Sequence, residues 1–221
     1  MEEIDFISGN GMVKLYAVVP VYQAEETIYE CLSALSKFCD VIIVREGKWI
    51  GYEGPLHSTD RTIEEVFRFI RENDSQCQVD FGLNAKEYNQ YEVRNILISQ
   101  VPIGDWYIWI DSDEIVKVYP TRERVQELIS ADVDGYQTYA YEENSKEPSL
   151  LNNTRMLRMT KGQHYTLNHR YLDDDKGPIV FGGPRQPPLK EIIHFHKTSK
   201  VMRSKAEEYK KWLNEFENNE C

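Results

Sequence analysis

A chain of 221 residues with 41% hydrophobic side chains is long enough to close one compact domain, or at most two, around a real core, which excludes a disordered tail protein. Its 26 basic residues against 37 acidic ones leave a formal charge of −11, so a nucleic-acid binder that works through a basic surface is excluded as well. The longest apolar run, 15–21, is far short of the roughly 20 residues a membrane-spanning helix needs. The acidic start MEEIDFISGNGM lacks the basic, then apolar, pattern of a secretory signal, so the expected location is cytoplasmic. Cys31, Cys39, Cys77 and Cys221 are scattered without a CxxC pair, which predicts small buried residues rather than a zinc site or a disulfide framework.

Residues 15–22, LYAVVPVY, read as a buried strand. Ile28, Leu32 and Leu35 recur at helical spacing within 26–37, and VIIV at 41–44 gives the next strand, completing a β-α-β unit. The stretch EGKWIGYEGPLHSTD is long for a strand-to-helix connection and is expected to be an exposed, functional loop. A helix over 62–72 follows, with a capping box from Thr62 to Glu65. Then come a short strand at 79–82, a helix within 88–100, and the buried strand WYIWI at 106–110. Alternation of this kind predicts a mainly parallel sheet covered by helices, with ligands at the carboxyl ends of its strands. Beyond Val116 the pattern is more mixed: a helix over 121–130, a strand over 135–141, and a glycine- and proline-rich run at 177–188 that reads as a mobile loop. Met202, Ala206, Tyr209, Leu213 and Phe216 form the seam of an amphipathic C-terminal helix, 199–218, which either packs on the body or makes a homodimer contact.

Directly after WYIWI stands Asp111-Ser112-Asp113-Glu114, three carboxylates in four positions. Like charges this close repel unless a cation sits between them. A hard divalent ion, Mg2+ or Mn2+, takes one or two carboxylates and leaves coordination positions for phosphate oxygens, so the tetrad points to a phosphate-bearing ligand. Near the other end, His194 and His196 share a side if Ile192-Ile193-His194-Phe195-His196 is extended, and one of them could complete a metal shell. His57, His164 and His169 have no recognisable partner in the sequence.

The segments VVPVYQAEETIYECLSAL, VIIVREG, STDRT, EVRN, WYIWIDSDE, RMLR and HFHK, in this order over about residues 14–210, resemble the nucleotide-sugar-dependent glycosyltransferases of the GT-A fold, in particular the family-2-like group. The resemblance implies one α/β domain with a mainly parallel central sheet flanked by helices. Within it, 14–117 would form the nucleotide-binding half, 118–198 a mixed acceptor-side half, and 199–218 the C-terminal helix. Asp111 and Asp113 match the DxD motif that holds the metal and, through it, the donor diphosphate; Ser112 lies between them. Pro20, Val21 and Tyr22 resemble the first-strand end bordering the nucleobase and ribose, with Glu25 just after it. Glu46 stands where the family usually has an aspartate touching the nucleotide, which is a departure. Ser58-Thr59-Asp60 resembles a motif that normally follows that acid almost directly; with 47–57 inserted, Asp60 either contacts the nucleotide or only caps its helix. Arg94 and Asn95 match the Arg-Asn pair before the DxD strand, where an arginine neutralises diphosphate or contacts the base.

The implied reaction moves a sugar from a UDP-sugar or GDP-sugar to the hydroxyl of a glycan or lipid-linked acceptor. Metal held by Asp111 and Asp113, assisted by His194 or His196, would stabilise the departing diphosphate. If the anomeric carbon inverts, a carboxylate must take the acceptor proton, and the acidic cluster after the motif is Asp173-Asp174-Asp175. Tyr136, Tyr139, Tyr141, Tyr165 and Tyr171 would serve either as sugar-stacking rings or as core. Lysines on the C-terminal segment would allow peripheral membrane contact. Three alternatives fit less well. A haloacid-dehalogenase-type phosphatase would carry its aspartate pair on the first strand with Thr or Val four residues after the first aspartate, where this chain has Ile115. A nucleotidyltransferase would need a glycine-rich, basic loop after its first strand and a Rossmann dehydrogenase a glycine-rich turn, and YQAEET at that place supplies neither. A catalytically inactive binder of the same fold is the alternative from a different class.

Overall fold

The structure is a computed structural model that describes residues 12–141, 147–166, 171–179 and 185–196. The proposed helix over 199–218, with its dimer and membrane readings, lies outside the described residues, as do His169 and Cys221. The strands β1 (Leu15–Val21), β2 (Val41–Glu46), β3 (Gln78–Leu83) and β4 (Trp106–Trp109) are mutually parallel in the order β3-β2-β1-β4. They are linked by α1 (Ile28–Leu35), α2 (Thr62–Glu72) and α3 (Gln90–Ile98). This is the α/β layout that the alternating pattern predicts.

Strand periodicity divides the core in two. Ala17, Val19, Val21, Ile42, Val44, Trp106 and Ile108 pack on the side of α1 and α2. Val18, Ile43, Tyr107 and Trp109 pack on the other side, with Val93 and Leu97 of α3. A sheet buried on both faces needs apolar residues at successive positions, which is why LYAVVPVY and VIIV are continuous rather than alternating.

The second half holds more strands than its sequence suggests. After β5 (Glu114–Val118) and α4 (Arg122–Ser130) come β6 (Gly135–Tyr141), β7 (Ser149–Arg158), β8 (His164–Thr166), β9 (Tyr171–Asp174), β10 (Gly177–Ile179) and β11 (Pro188–His196). The large sheet continues beyond β4 as β7-β6-β11-β5, with β7 antiparallel to both neighbours, while β8, β9 and β10 form a small antiparallel sheet. The reading of 177–188 as a loop is therefore corrected: 177–179 pairs with β9, and Pro188 opens β11. Hairpin pairing supplies the hydrogen bonds that glycine and proline content alone would not foretell.

One topological fact governs the rest. β4 and β5 are joined by residues 110–113 alone, yet they stand fourth and eighth in the sheet. Four strand spacings in a flat sheet would be about 19 Å, whereas the Asp111–Glu114 turn is closed by a 2.9 Å hydrogen bond from the Glu114 amide to the Asp111 carbonyl. The sheet must curl to bring its last strand back beside the end of its fourth.

Two local expectations change. No capping box forms at Thr62, because the Thr62 amide and hydroxyl both donate to Asp60 Oδ1, at 3.0 and 2.5 Å. The capping box lies instead at the start of α3, where Glu92 accepts from the Asn89 amide at 2.7 Å. Cys31, Cys39 and Cys77 are buried, as expected. Burial, the largest influence, pushes the Cys77 thiol from the ordinary 9.0 up to about 12, and raises Cys31 and Cys39 well above the ordinary value. A proton held more tightly by the folded thiol makes stability fall as pH rises between the unfolded and folded values. Urea midpoints followed upward through that window should fall, and the fall should be shallower for Cys77→Ala; an unchanged slope in the variant would refute the assignment.

Candidate functional site

The carboxyl ends of β1, β2 and β4 gather most of the acidic residues picked out from the sequence. Glu46 is the last residue of β2, in register with Val21 on one side and Leu83 on the other, and is fully buried. Its Oε1 accepts from the Ser58 amide at 2.7 Å and the Ser58 hydroxyl at 2.6 Å, while Oε2 lies 2.8 Å from His57 Nδ1. The inserted residues 47–57 are thus looped out and closed at their base, so Glu46 and Ser58 adjoin as though nothing separated them.

The insertion itself is less exposed than expected: Gly47 and Lys48 are buried. Lys48 Nζ donates to the Gly54 carbonyl at 2.9 Å and pairs with Glu87 at 2.5 Å. Tyr22 stacks on Tyr52, and Tyr52 on Trp49, with centroids 6.3 and 5.5 Å apart. Gly47 has φ +152°, and a side chain there would begin 2.7 Å from Asn84 Cβ, so glycine is required. His57, without a visible partner in the sequence, finds one in Glu46.

The turn after β1 locks onto this base. The Gln23 amide donates to Ser58 Oγ at 2.8 Å, Ala24 to Thr62 Oγ1 at 2.6 Å, and Glu25 to Asp60 Oδ2 at 3.3 Å. In return the Arg61 amide donates to Glu25 Oε2 at 2.9 Å. Gln23 adopts φ +49°, unusual for a side-chain-bearing residue, within this clasp. Asp60 therefore serves the local turn and the clasp. Pro20 and Val21 are buried, Val21 in the apolar core, and the Tyr22 hydroxyl donates to the Pro55 carbonyl at 2.9 Å.

The Asp111 turn is built over buried charge. Trp109 Nε1 donates to Asp111 Oδ1 at 2.9 Å, and the Asp111 amide donates to Glu114 Oε2 at 3.0 Å. Glu114 is fully buried, and its Oε1 accepts from Arg155 Nη2 at 2.8 Å. Arg94 and Arg155 approach the two Asp111 oxygens at 3.7 and 3.8 Å. Arg94 also lies 3.6 Å from the centroid of the Trp109 ring. Burial lowers the affinity of Arg94 for its proton, opposed by Asp111. In Arg155 burial acts the same way, but the carboxylates of Glu114 and Asp111 carry the net shift upward. Asn95, by contrast, clamps the small sheet: Oδ1 accepts from the Tyr165 amide at 2.6 Å, and Nδ2 donates to its carbonyl at 3.0 Å.

The curl carries β11 to this turn. His196 is in register with Glu114, and His194 with Val116. His194 is fully buried, with Nε2 2.8 Å from the Thr138 hydroxyl. Asp173, Asp174 and Asp175 are elsewhere. Asp174 accepts from the Thr160 hydroxyl at 3.1 Å, beside the amino end of β4, so this cluster is not gathered with Asp111 and Asp113. Tyr136 and Tyr165 are buried as core; the Tyr136 hydroxyl donates to the Leu128 carbonyl at 2.9 Å. Glu114 and Arg155 were not singled out as site residues from sequence, although both lie inside recognised segments, WYIWIDSDE and RMLR.

The donor set admits a divalent ion in one way. Asp111 and Asp113 offer hard oxygen ligands from one turn, which suits an ion that completes its shell with phosphate oxygens and water. Among the described residues, no three His, Cys, Asp or Glu side chains gather closely enough to hold a metal by themselves. The residues fit an ion that arrives with phosphate, not a closed protein cage. No helix of the described residues is long and apolar enough to cross a membrane.

No family model matches the chain, and no curated protein matches it. Among solved structures it is similar to TarS from S. aureus, free and in complex with UDP, at 20% identity and TM-score 0.42, over 61% of this chain and 38% of that one. It is similar to the mannosyltransferase PcManGT from Pyrobaculum calidifontis in complex with GDP-Man and Mn2+, at 14% identity and TM-score 0.45, over 60% of this chain and 37% of that one. It is also similar to glucosyl-3-phosphoglycerate synthase from Mycobacterium tuberculosis in complex with Mn2+, UDP and glucosyl-3-phosphoglycerate, at 17% identity and TM-score 0.39, over 58% and 44% of the two chains. The chain spans less than half the length of each of these, and at such TM-scores the likenesses decide nothing about the chemistry of the site.

Two outcomes follow from the geometry. Glu46→Ala removes the acceptor that closes 47–57, so hydrogen exchange at the Ser58 and Gln23 amides should quicken, with a stability loss of about 1–3 kcal/mol; unchanged protection at both amides would contradict the closure. Glu114→Gln leaves Arg155 buried beside a neutral partner and should cost about 3–5 kcal/mol in urea unfolding. Adding Arg155→Met should restore part of that loss, whereas additive losses would show that the pair is not coupled.

Proposed function

We propose that the chain is a nucleotide-sugar-dependent glycosyltransferase, with its donor site at the carboxyl ends of β1, β2 and β4. The observation that carries this reading is the place of the Asp111-Ser112-Asp113 turn. It follows a central parallel strand and lies beside the end of β1, with the Ile110 amide donating to the Val18 carbonyl at 3.2 Å. Ligands of parallel sheets collect at that edge, and the order of segments from VVPVY to HFHK is that of the GT-A glycosyltransferases.

A divalent ion, Mn2+ or Mg2+, held by Asp111 and Asp113 with His196 as a further candidate ligand, would supply Lewis-acid stabilisation of the leaving diphosphate, whereas His194, buried with Nε2 2.8 Å from the Thr138 hydroxyl, is not gathered with the two aspartates. The chain's own residues do the rest. Glu114 and Trp109 fix the orientation of Asp111 by hydrogen bonds at 3.0 and 2.9 Å. Arg94 and Arg155 bring positive charge to the same turn. The clasp of Glu25, Glu46, Ser58 and Asp60 shapes the wall for the nucleoside, with Pro20, Val21 and Tyr22 at its edge. The acceptor is a hydroxyl of a glycan or a lipid-linked sugar. Because Asp173, Asp174 and Asp175 are not gathered with Asp111, a second reading, a nucleotide-sugar-binding protein without transfer activity, has a specific observation in its favour.

Calorimetric titration with UDP and GDP, each with and without Mn2+, is the test. One nucleotide should bind in a metal-dependent manner, and Asp113→Ala should weaken it at least about tenfold, as loss of a charged ligand predicts. No binding of either nucleotide with any metal would remove the glycosyltransferase reading. Binding without turnover of any matching sugar nucleotide would favour the inactive binder.

A further inference from the structure

The strands β6 and β11 lie side by side and present two unlike faces. Thr138, Ala140, Ile192 and His194 are buried on one of them, where Val125, Leu128 and Ile129 of α4 share a core with Tyr136 and Ile192. The alternate residues Tyr139, Tyr141, Ile193 and Phe195 point the other way. Tyr139 is in register with Leu150 of β7 on one side and with Ile193 on the other, and Tyr141 is in register with Phe195. Leu150 and Phe195 are exposed, and the other three are half-buried. Among the described residues, none of these five joins either apolar core. A sheet buries an apolar face against a further layer of structure, and this face calls for one.

We propose that the layer is residues 199–218 of the same chain, docked as a helix with Met202, Ala206, Tyr209, Leu213 and Phe216 against this face. That segment lies outside the described residues, but its starting point does not. The described chain ends at His196, next to Phe195, so the segment begins at the border of the face. Only residues 197–201 separate β11 from Met202. Connections of about two to six residues join a strand to a helix packed on its own sheet.

Size and chemistry match as well. Three adjacent strands measure about 10 Å between their outer axes, and a helix with its side chains is about 10–12 Å wide. The seam is apolar and aromatic, as the face is, while Glu207, Glu208, Lys211 and Glu215 fall on the opposite side of the helix. A second copy could offer the same seam. The short connection, however, holds the chain's own seam at an effective concentration of about millimolar, which a separate molecule does not reach in dilute solution.

The test is photo-cross-linking of the full chain carrying Tyr209→benzoylphenylalanine, together with hydrogen exchange at amides 203–216. The cross-link should form within one chain, at low and high protein concentration alike, and should fall on a peptide of β6, β7 or β11. Leu150→Asp and Phe195→Asp, both at exposed positions, should each speed exchange at 203–216 at least about tenfold, the scale set by one apolar side chain lost from a contact. Phe67→Asp, at an exposed position on α2, should leave that exchange unchanged. An intramolecular cross-link elsewhere on the chain would overturn the proposal, and so would cross-links that form only between chains and rise with concentration, which assign the seam to a second copy. Amides at 203–216 that exchange as fast as a free peptide, or that keep their protection in both variants, would overturn it too. Should either variant fail to fold, the cross-link site in the otherwise unaltered chain decides alone.

Discussion

Four residues join the fourth and eighth strands of one sheet, and the curl this demands determines where the chemistry can be. Because β5 must return to the end of β4, the strand paired with it, β11, returns too, which brings His196 into register with Glu114. The same curl lets Arg155 on β7 reach Glu114 on β5, although β6 and β11 lie between them in the sheet. A flat sheet with the same strand order could not be closed by a hydrogen-bonded turn at Asp111–Glu114. The acidic turn is therefore a staple across the curl, and under the proposed function the same sequence DSDE would also supply the ligands.

Burying Glu114 and Arg155 is costly, since both leave water. The arrangement is tolerated because the guanidinium meets Glu114 at 2.8 Å and the other carboxylate oxygen is used by the Asp111 amide at 3.0 Å. Replacing the pair with apolar side chains could leave the fold equally stable, but it would free the Asp111 amide and with it the orientation of the turn. The Glu46 cluster follows the same logic at the next strand end: a buried carboxylate accepts from the amide and hydroxyl of Ser58, and so closes an insertion that would otherwise separate two parts of one wall.

The first half of the fold was legible because its signals are local. Continuous apolar runs mark strands buried on both faces, and Ile63, Val66 and Ile70 mark a helix by their spacing. Beyond Val116 the strands pair through long-range hydrogen bonds and have little apolar periodicity; SLLNNTRMLR carries Asn, Thr and Arg in a ten-residue strand. Site residues divided in the same way. Asp111 and Asp113 were readable as a cluster, whereas Arg155 becomes visible only once β7 lies inside the curl. The helix start at Thr62 was misread because its hydroxyl and amide both serve Asp60 two residues earlier, a local turn that competes with the S/T-x-x-E pattern.

Electrostatics at the turn argues for an order of assembly. The half-buried carboxylates of Asp111 and Asp113 and the buried one of Glu114 stand with two buried guanidiniums, Arg94 and Arg155. A bare divalent ion approaching Asp111 would meet arginines already 3.7 and 3.8 Å from its oxygens, and their repulsion is poorly screened where the groups are buried. An ion carrying a diphosphate presents negative oxygens as well, so the same arginines become attractive. On the proposed donor reading, this charge pattern disfavours the metal alone and favours the metal with its phosphate, and Arg94 and Arg155 would discriminate between the two.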